Sequence, residues 1–185
     1  IAGRKTLIVD SDMRRPVQHT FLGITNRMGL SNVLLRDVPV EEMIKATSVQ
    51  NLHILPSGKL PRSSYGLLES RRMYELIQDL KARYDYVFFD SPPVMGLSDA
   101  SVLASEVDGV LLVVQYRKYP REISIRAKRV IENVGGKILG VVLNNINILR
   151  DDYYHYYHSY YSHYYSDEAR AREPAGGADE IEDRL

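Results

Sequence analysis

The residues best placed to do chemistry are acidic and stand where apolar runs give out. Leu7-Ile8-Val9-Asp10-Ser11-Asp12-Met13-Arg14-Arg15-Pro16 puts two carboxylates at the end of one such run. Two positions apart in extended backbone, Asp10 and Asp12 would point the same way. Like charges that close repel, and a divalent cation or a nearby arginine would relieve the repulsion. One carboxylate could then take a proton from an attacking hydroxyl. An acidic turn with an arginine partner would leave the same letters in the sequence.

The pattern recurs at Val87-Phe88-Phe89-Asp90-Ser91-Pro92-Pro93. A hydrophobic strand ending in aspartate is how P-loop ATPases present the carboxylate that holds magnesium, directly or through water. A turn or helix-capping aspartate is the plainer reading of Asp90 alone. Two such strand ends, in this order, are more specific than either.

A third feature is aromatic. Eight of the fourteen tyrosines fall within residues 153–165: Tyr153, Tyr154, Tyr156, Tyr157, Tyr160, Tyr161, Tyr164 and Tyr165. Neither a helix stripe nor an alternating strand asks for that density. Phenols accept phosphoryl groups, and each phosphate adds roughly −1.5 to −2 charges near neutral pH. The alternatives are a sticky low-complexity segment or a weak His-rich metal tract. His155, His158 and His163 lack a firm ligand spacing. Stacking on nucleic acid would want basic residues that this segment lacks, so no nucleic-acid partner is expected.

These groups must be carried by regular elements. Lys5–Val9, Leu52–Leu55, Tyr86–Phe89, Gly109–Val114 and Ile138–Leu143 are near-continuous apolar runs. Such runs fit strands covered on both faces of a parallel sheet. Helices are expected at Ser31–Arg36, Val40–Thr47, Ser64–Arg83, Ser98–Ser105 and Arg121–Val134, with Ser63 or Ser64 capping the third of these. Alternation of strand and helix predicts an α/β fold with a mostly parallel sheet. Ligands of such sheets bind at the carboxyl ends of the strands, where Asp10, Asp90 and Asn144 fall. Residues 1–150 are expected to form one domain, and 151–185 a disordered tyrosine-rich, then acidic, tail.

Composition narrows the classes. The net charge is zero, but residues 1–150 hold 21 of the 24 basic and 15 of the 24 acidic side chains, so a +6 body carries a −6 tail. Such a tail is drawn to a basic surface or is simply solvated. The basic stretch from Arg117 to Arg129 could receive it or an anionic membrane surface, or could be a solvated helix face. The chain has no cysteine, which excludes disulfides and cysteine-ligated zinc. No apolar run is long enough to span a membrane, and the start does not resemble a signal peptide, so the sequence reads as cytoplasmic. Ile1-Ala2-Gly3 reads as the last turn of a helix and its glycine stop, which suggests a piece of a longer chain.

Together these residues resemble the bacterial tyrosine kinase family, the kinase domains or subunits that work with capsule and exopolysaccharide export. Leu7–Pro16 is similar to the family's second nucleotide motif. Tyr86–Pro93, with Val94 and Ser98-Asp99, is similar to its third. Leu143-Asn144-Asn145 before the tyrosine cluster completes the order. The resemblance implies a P-loop NTPase-like fold, ATP and Mg²⁺ as cofactors, and autophosphorylation of the tail tyrosines by a neighbouring protomer in a ring. It implies Asp10 as the base, Asp12 as an assistant on the metal or its waters, and Asp90 as the metal-holding carboxylate. Arg14 matches a motif position and is expected, with Asn144, among the nucleotide-binding residues, where it could orient the loop; Asn144 lies at the position of a nucleotide contact. Implied partners are other protomers, a membrane-embedded polysaccharide co-polymerase segment or activator, and a tyrosine phosphatase, all at the inner face of the bacterial inner membrane. The sequence departs from the family in having no Gly-x-x-x-x-Gly-Lys-[Ser/Thr] P-loop, which the family places before the Asp10 strand. It also has Arg62-Ser63-Ser64-Tyr65 where relatives often have Asn-Pro. A partitioning-type ATPase switch and a non-catalytic phospho-acceptor are the competing readings.

Overall fold

The computed structural model describes residues 3–36, 38–59, 66–96 and 98–147. The tail, with all eight of its tyrosines, and the segment 61–65 lie outside the described residues. The order of elements is β1 (Thr6–Asp10), α1 (Gln18–Phe21), α2 (Leu30–Arg36), α3 (Val40–Met43), β2 (Lys45–Ala46), β3 (Leu52–Leu55), a 3₁₀ turn (Leu67–Glu69), α4 (Arg71–Arg83), β4 (Tyr86–Asp90), α5 (Ser98–Glu106), β5 (Val110–Gln115), α6 (Arg121–Asn133) and β6 (Ile138–Asn144). Strands and helices alternate, as expected of an α/β chain.

Four strands form a sheet in the order β2-β3-β1-β4, and β5 and β6 form a second, two-stranded sheet. β1 is central and parallel to both neighbours, pairing Val9 with Leu55 on one side and Asp10 with Asp90 on the other. Within this four-stranded sheet only β2 runs antiparallel, and it covers the edge of β3. Leu7, Val9, Ile54 and Leu55 are fully buried. Helix α4 lays Met73, Leu76, Ile77 and Leu80 into the core, the i, i+3, i+4, i+7 stripe of an amphipathic helix. Leu30, Leu34 and Leu103 complete the same cluster, against which Val87 and Phe89 of β4 pack.

Three expectations are corrected. The expected helix Ser64–Arg83 is two elements, because Ser70 breaks it: its Oγ accepts from the Met73 N–H and donates to the Leu67 carbonyl. Ser70, not Ser63 or Ser64, is therefore the cap of α4. The expected helix Val40–Thr47 stops after one turn, since Ile44 is extended and Lys45–Ala46 pairs with β3. The apolar strands β4, β5 and β6 are covered on one face only among the described residues. Tyr86, Phe88, Leu111, Val113, Leu139 and Val141 are each more than half exposed.

The described residues fall into two compact units. The larger holds residues up to Val114 together with Tyr119–Val142; the smaller holds Gln115–Lys118 and the residues from Leu143 on. No described helix is long and apolar enough to cross a membrane.

Candidate active site

The larger unit brings Asp10 and Asp90 side by side. Each is the last residue of its strand, the strands are adjacent and parallel, and the two positions are direct register partners. Apolar residues hold β1 in the interior, and the chain can leave the sheet only where the first carboxylate appears. After Asp90 the run Ser91-Pro92-Pro93 ends pairing, since proline offers no N–H to a ladder.

The two strand ends are tied through one carbonyl. The Asp90 backbone oxygen accepts from the Ser11 N–H at 2.9 Å and the Asp12 N–H at 3.0 Å. It also accepts from Ser11 Oγ at 2.6 Å. Ser11, 1% exposed, is thus a structural clasp between the acidic loops. It lies between the two aspartates of the motif, yet nothing in its residue type announces the role.

Gln18 supplies the second tie. Its backbone N–H donates to Asp10 Oδ2 at 3.2 Å, and its side-chain Nε2 donates to Asp90 Oδ2 at 2.7 Å. Asp10 is fully buried, and its other oxygen, Oδ1, is buried without a hydrogen-bond partner. Burial lifts its carboxyl from the ordinary 3.8 to about 6; the Gln18 N–H and His19 pull it down, while Asp90 and Asp12 push it up. At neutral pH the group is still mostly ionised, and close enough to its pKa to accept a proton.

Asp12 behaves differently from the expectation that it points with Asp10. The strand ends at Asp10, so its alternation does not reach Asp12. Asp12 Oδ1 instead accepts from the backbone N–H groups of Arg14 at 3.2 Å and Arg15 at 3.0 Å. This closes an Asx-type turn that folds the loop on itself. Arg14 stands on that turn, exposed to solvent. Asn144 belongs to the smaller unit, where its Oδ1 accepts from the Asn145 N–H and its carbonyl from the Tyr116 N–H.

Magnesium binds through one or two carboxylates and keeps waters and substrate phosphates as its remaining ligands. The Asp90 carboxylate fits that demand, and the unpartnered Asp10 Oδ1 beside it remains to accept a proton. Among the described residues no group of three His, Cys, Asp or Glu side chains forms a cage, and magnesium does not require one. An open hollow of about 450 Å³ lined by Lys5, Glu41, Ile44, Arg83 and Tyr84 lies at the opposite, amino-terminal end of β1 and β4, away from this chemistry.

Residues 1–136 match the family described as an AAA domain. The chain is 36% identical to CapB of Staphylococcus aureus over 155 residues, covering 84% of this chain and 68% of CapB. It is 35% identical to the tyrosine-protein kinase YwqD of Bacillus subtilis over 154 residues, 83% of this chain and 65% of YwqD. Among solved structures it resembles the kinase domain of the Escherichia coli tyrosine kinase ETK, with a TM-score of 0.73 at 28% identity over 77% of this chain and 56% of that one. It also resembles the septum site-determining protein MinD of Pyrococcus horikoshii, complexed with Mg-ADP, with a TM-score of 0.63 at 29% identity over 81% and 60% of the two chains. The chain spans about two thirds of the length of CapB and YwqD.

Proposed function

Since this chain belongs to the bacterial tyrosine-protein kinase family built on an AAA-type domain, we propose that it supplies the acidic half of an ATP-dependent tyrosine kinase site. The observation that carries this reading is the registered pair Asp10 and Asp90 at the carboxyl ends of adjacent parallel strands, one of them buried with an unpartnered oxygen.

The roles follow from the surroundings. Asp10, with its pKa lifted to about 6, is the base that takes the proton of an incoming tyrosine hydroxyl. Asp90 holds Mg²⁺, directly or through water. The ion, when bound, neutralises charge on the phosphates of ATP. Asp12 stiffens the loop through Oδ1 and meets the metal's waters through its other oxygen. Arg14 sets the turn that Asp12 closes, and Asn144 contacts the nucleotide base. A phosphate-binding P-loop is part of the working site, and no such sequence occurs in these 185 residues. The apolar side chains left exposed on the faces of β4 and β5 suit the helix that follows a P-loop strand. On this reading the 185-residue chain alone has little or no kinase activity.

The acceptors are the eight tyrosines between Tyr153 and Tyr165, phosphorylated by a neighbouring protomer of a ring. Added phosphates make an acidic tail self-repelling and loosen the assembly, and a tyrosine phosphatase resets it. The ring works at the inner face of the bacterial inner membrane with a membrane-embedded co-polymerase segment or activator, and its cycling regulates exopolysaccharide or capsule polymerisation and export.

Mass spectrometry of the full-length protein from its native cells tests this. Trypsin cleaves after Arg150 and Arg170, so one peptide carries all eight tail tyrosines. A ladder of phosphates that disappears in Asp10→Asn, made in the only gene copy, is the expected result. A ladder that survives makes the chain an acceptor for another kinase. An unmodified peptide under several growth conditions returns the reading to a partitioning-type ATPase switch, which the likeness to MinD supports.

A further inference from the structure

Gln18 holds both carboxylates of the candidate site at once, from opposite ends of one residue. Its main chain reaches Asp10 Oδ2, and its side chain reaches Asp90 Oδ2 at 2.7 Å, a short amide–carboxylate bond. We propose that Gln18 is a positioning residue and a placeholder, its amide occupying Asp90 until a divalent cation displaces it. This rests on the reading of Asp90 as the metal-holding carboxylate.

Residue chemistry favours the role. Asp10 and Asp90 are side by side, and the charge on Asp90 raises the cost of ionising Asp10. A neutral amide relieves this without neutralising either acid. A lysine in the same place would hold Asp90 permanently and exclude a metal. A glutamate would add a third like charge. An amide N–H is strong enough to fix the Asp90 rotamer and weak enough to yield to a dication. Release of the amide costs the pair little, because the main-chain N–H of Gln18 stays on Asp10 and the Ser11 clasp stays on the Asp90 carbonyl.

The test is a Mn²⁺ titration of the full-length protein without nucleotide, reading free Mn²⁺ by electron paramagnetic resonance. Gln18→Leu keeps the size and removes the competing donor. Its Mn²⁺ dissociation constant is expected to fall roughly three- to tenfold, the range of one net hydrogen bond. Gln18→Lys is expected to weaken Mn²⁺ binding by at least about tenfold, since a charged partner is harder to displace. General damage to the site would weaken binding in both variants, so tightening in Gln18→Leu is the discriminating sign. Gln18→Ala, expected to tighten as well, guards against misfolding of the leucine variant. Unchanged or weaker binding in both neutral variants overturns the placeholder, as does wild-type protein that takes up no Mn²⁺. The kinase reading stands or falls separately, on the loss of the phosphate ladder in Asp10→Asn.

Discussion

A carboxylate sealed at the end of a buried strand is held there against its own hydration, and Asp10 has one main-chain N–H to compensate. Its pKa of about 6 in the fold, against an ordinary 3.8, fixes the sign of the pH dependence. The folded state keeps the proton longer than the unfolded one. This contribution to stability is therefore complete below about pH 3.8, drains away as pH rises to about 6, and stays lost above that. The difference amounts to about 3 kcal/mol at most. Asp10→Asn is accordingly expected to be more stable than the parent in urea at pH 8, with the gap shrinking as pH falls from 6 to 4. A gap that does not change with pH would show that Asp10 is not held ionised against burial. Asp10 and Asp90 were legible in the sequence because an apolar run ending in aspartate is a pattern. Gln18 was not, since a glutamine eight residues further on has no pattern until the loop is closed. The turn at Asp12 was legible in principle: aspartate commonly accepts from N–H groups two and three residues ahead.

At the scale of elements, the loop ends are set by close approaches that letters alone report poorly. Gly29 packs where a Cβ would collide with the Pro56 carbonyl, and Gly58 adopts a φ of 72°. Between them, Asn26 Oδ1 accepts from the Gly58 N–H at 2.7 Å, and the Leu30 N–H donates to Pro56 at 2.8 Å. The start of α2 is thereby locked to the segment that leaves β3. Gly29→Ala should cost about 1–3 kcal/mol, because the obstructing atoms are backbone and cannot swing aside. A chemical melt that moves by less than a few tenths of a kcal/mol would mean that the two segments can slide apart. Ser70→Ala should cost about 1 kcal/mol through loss of the α4 cap. The five longer strands and the main helices followed from apolar runs and periodicity. The short β2 did not, because a two-residue strand exists only through its pairing with β3. The break at Ser70 was hidden because a serine inside a helical pattern looks like any other polar face residue.

At the scale of the whole molecule, the near-continuous apolar runs of β4, β5 and β6 and their one-sided burial pull in different directions. Runs without alternation belong to strands covered on both faces. Yet Phe88, Leu111, Val113, Leu139 and Val141 are each more than half exposed, and Tyr86 and Phe88 stack on each other at 6.3 Å between ring centroids. The sequence is thus patterned for more cover than the described residues provide, and apolar patches of this kind promote association. The 185-residue chain, purified alone, should bind an apolar dye such as ANS while its far-ultraviolet circular dichroism stays that of an α/β fold. It should also self-associate with rising concentration. The full-length protein should lose most of the dye signal, since the helix that follows a P-loop strand would pack over β4 and β5. Solvent accessibility of Phe88 gives the local check: Phe88→Lys should reduce both dye binding and self-association of the 185-residue chain while disturbing the packing of the full-length protein. If the full-length protein binds dye as strongly as the short chain, no covering helix exists. The two sheets would then have to find their partner in another molecule.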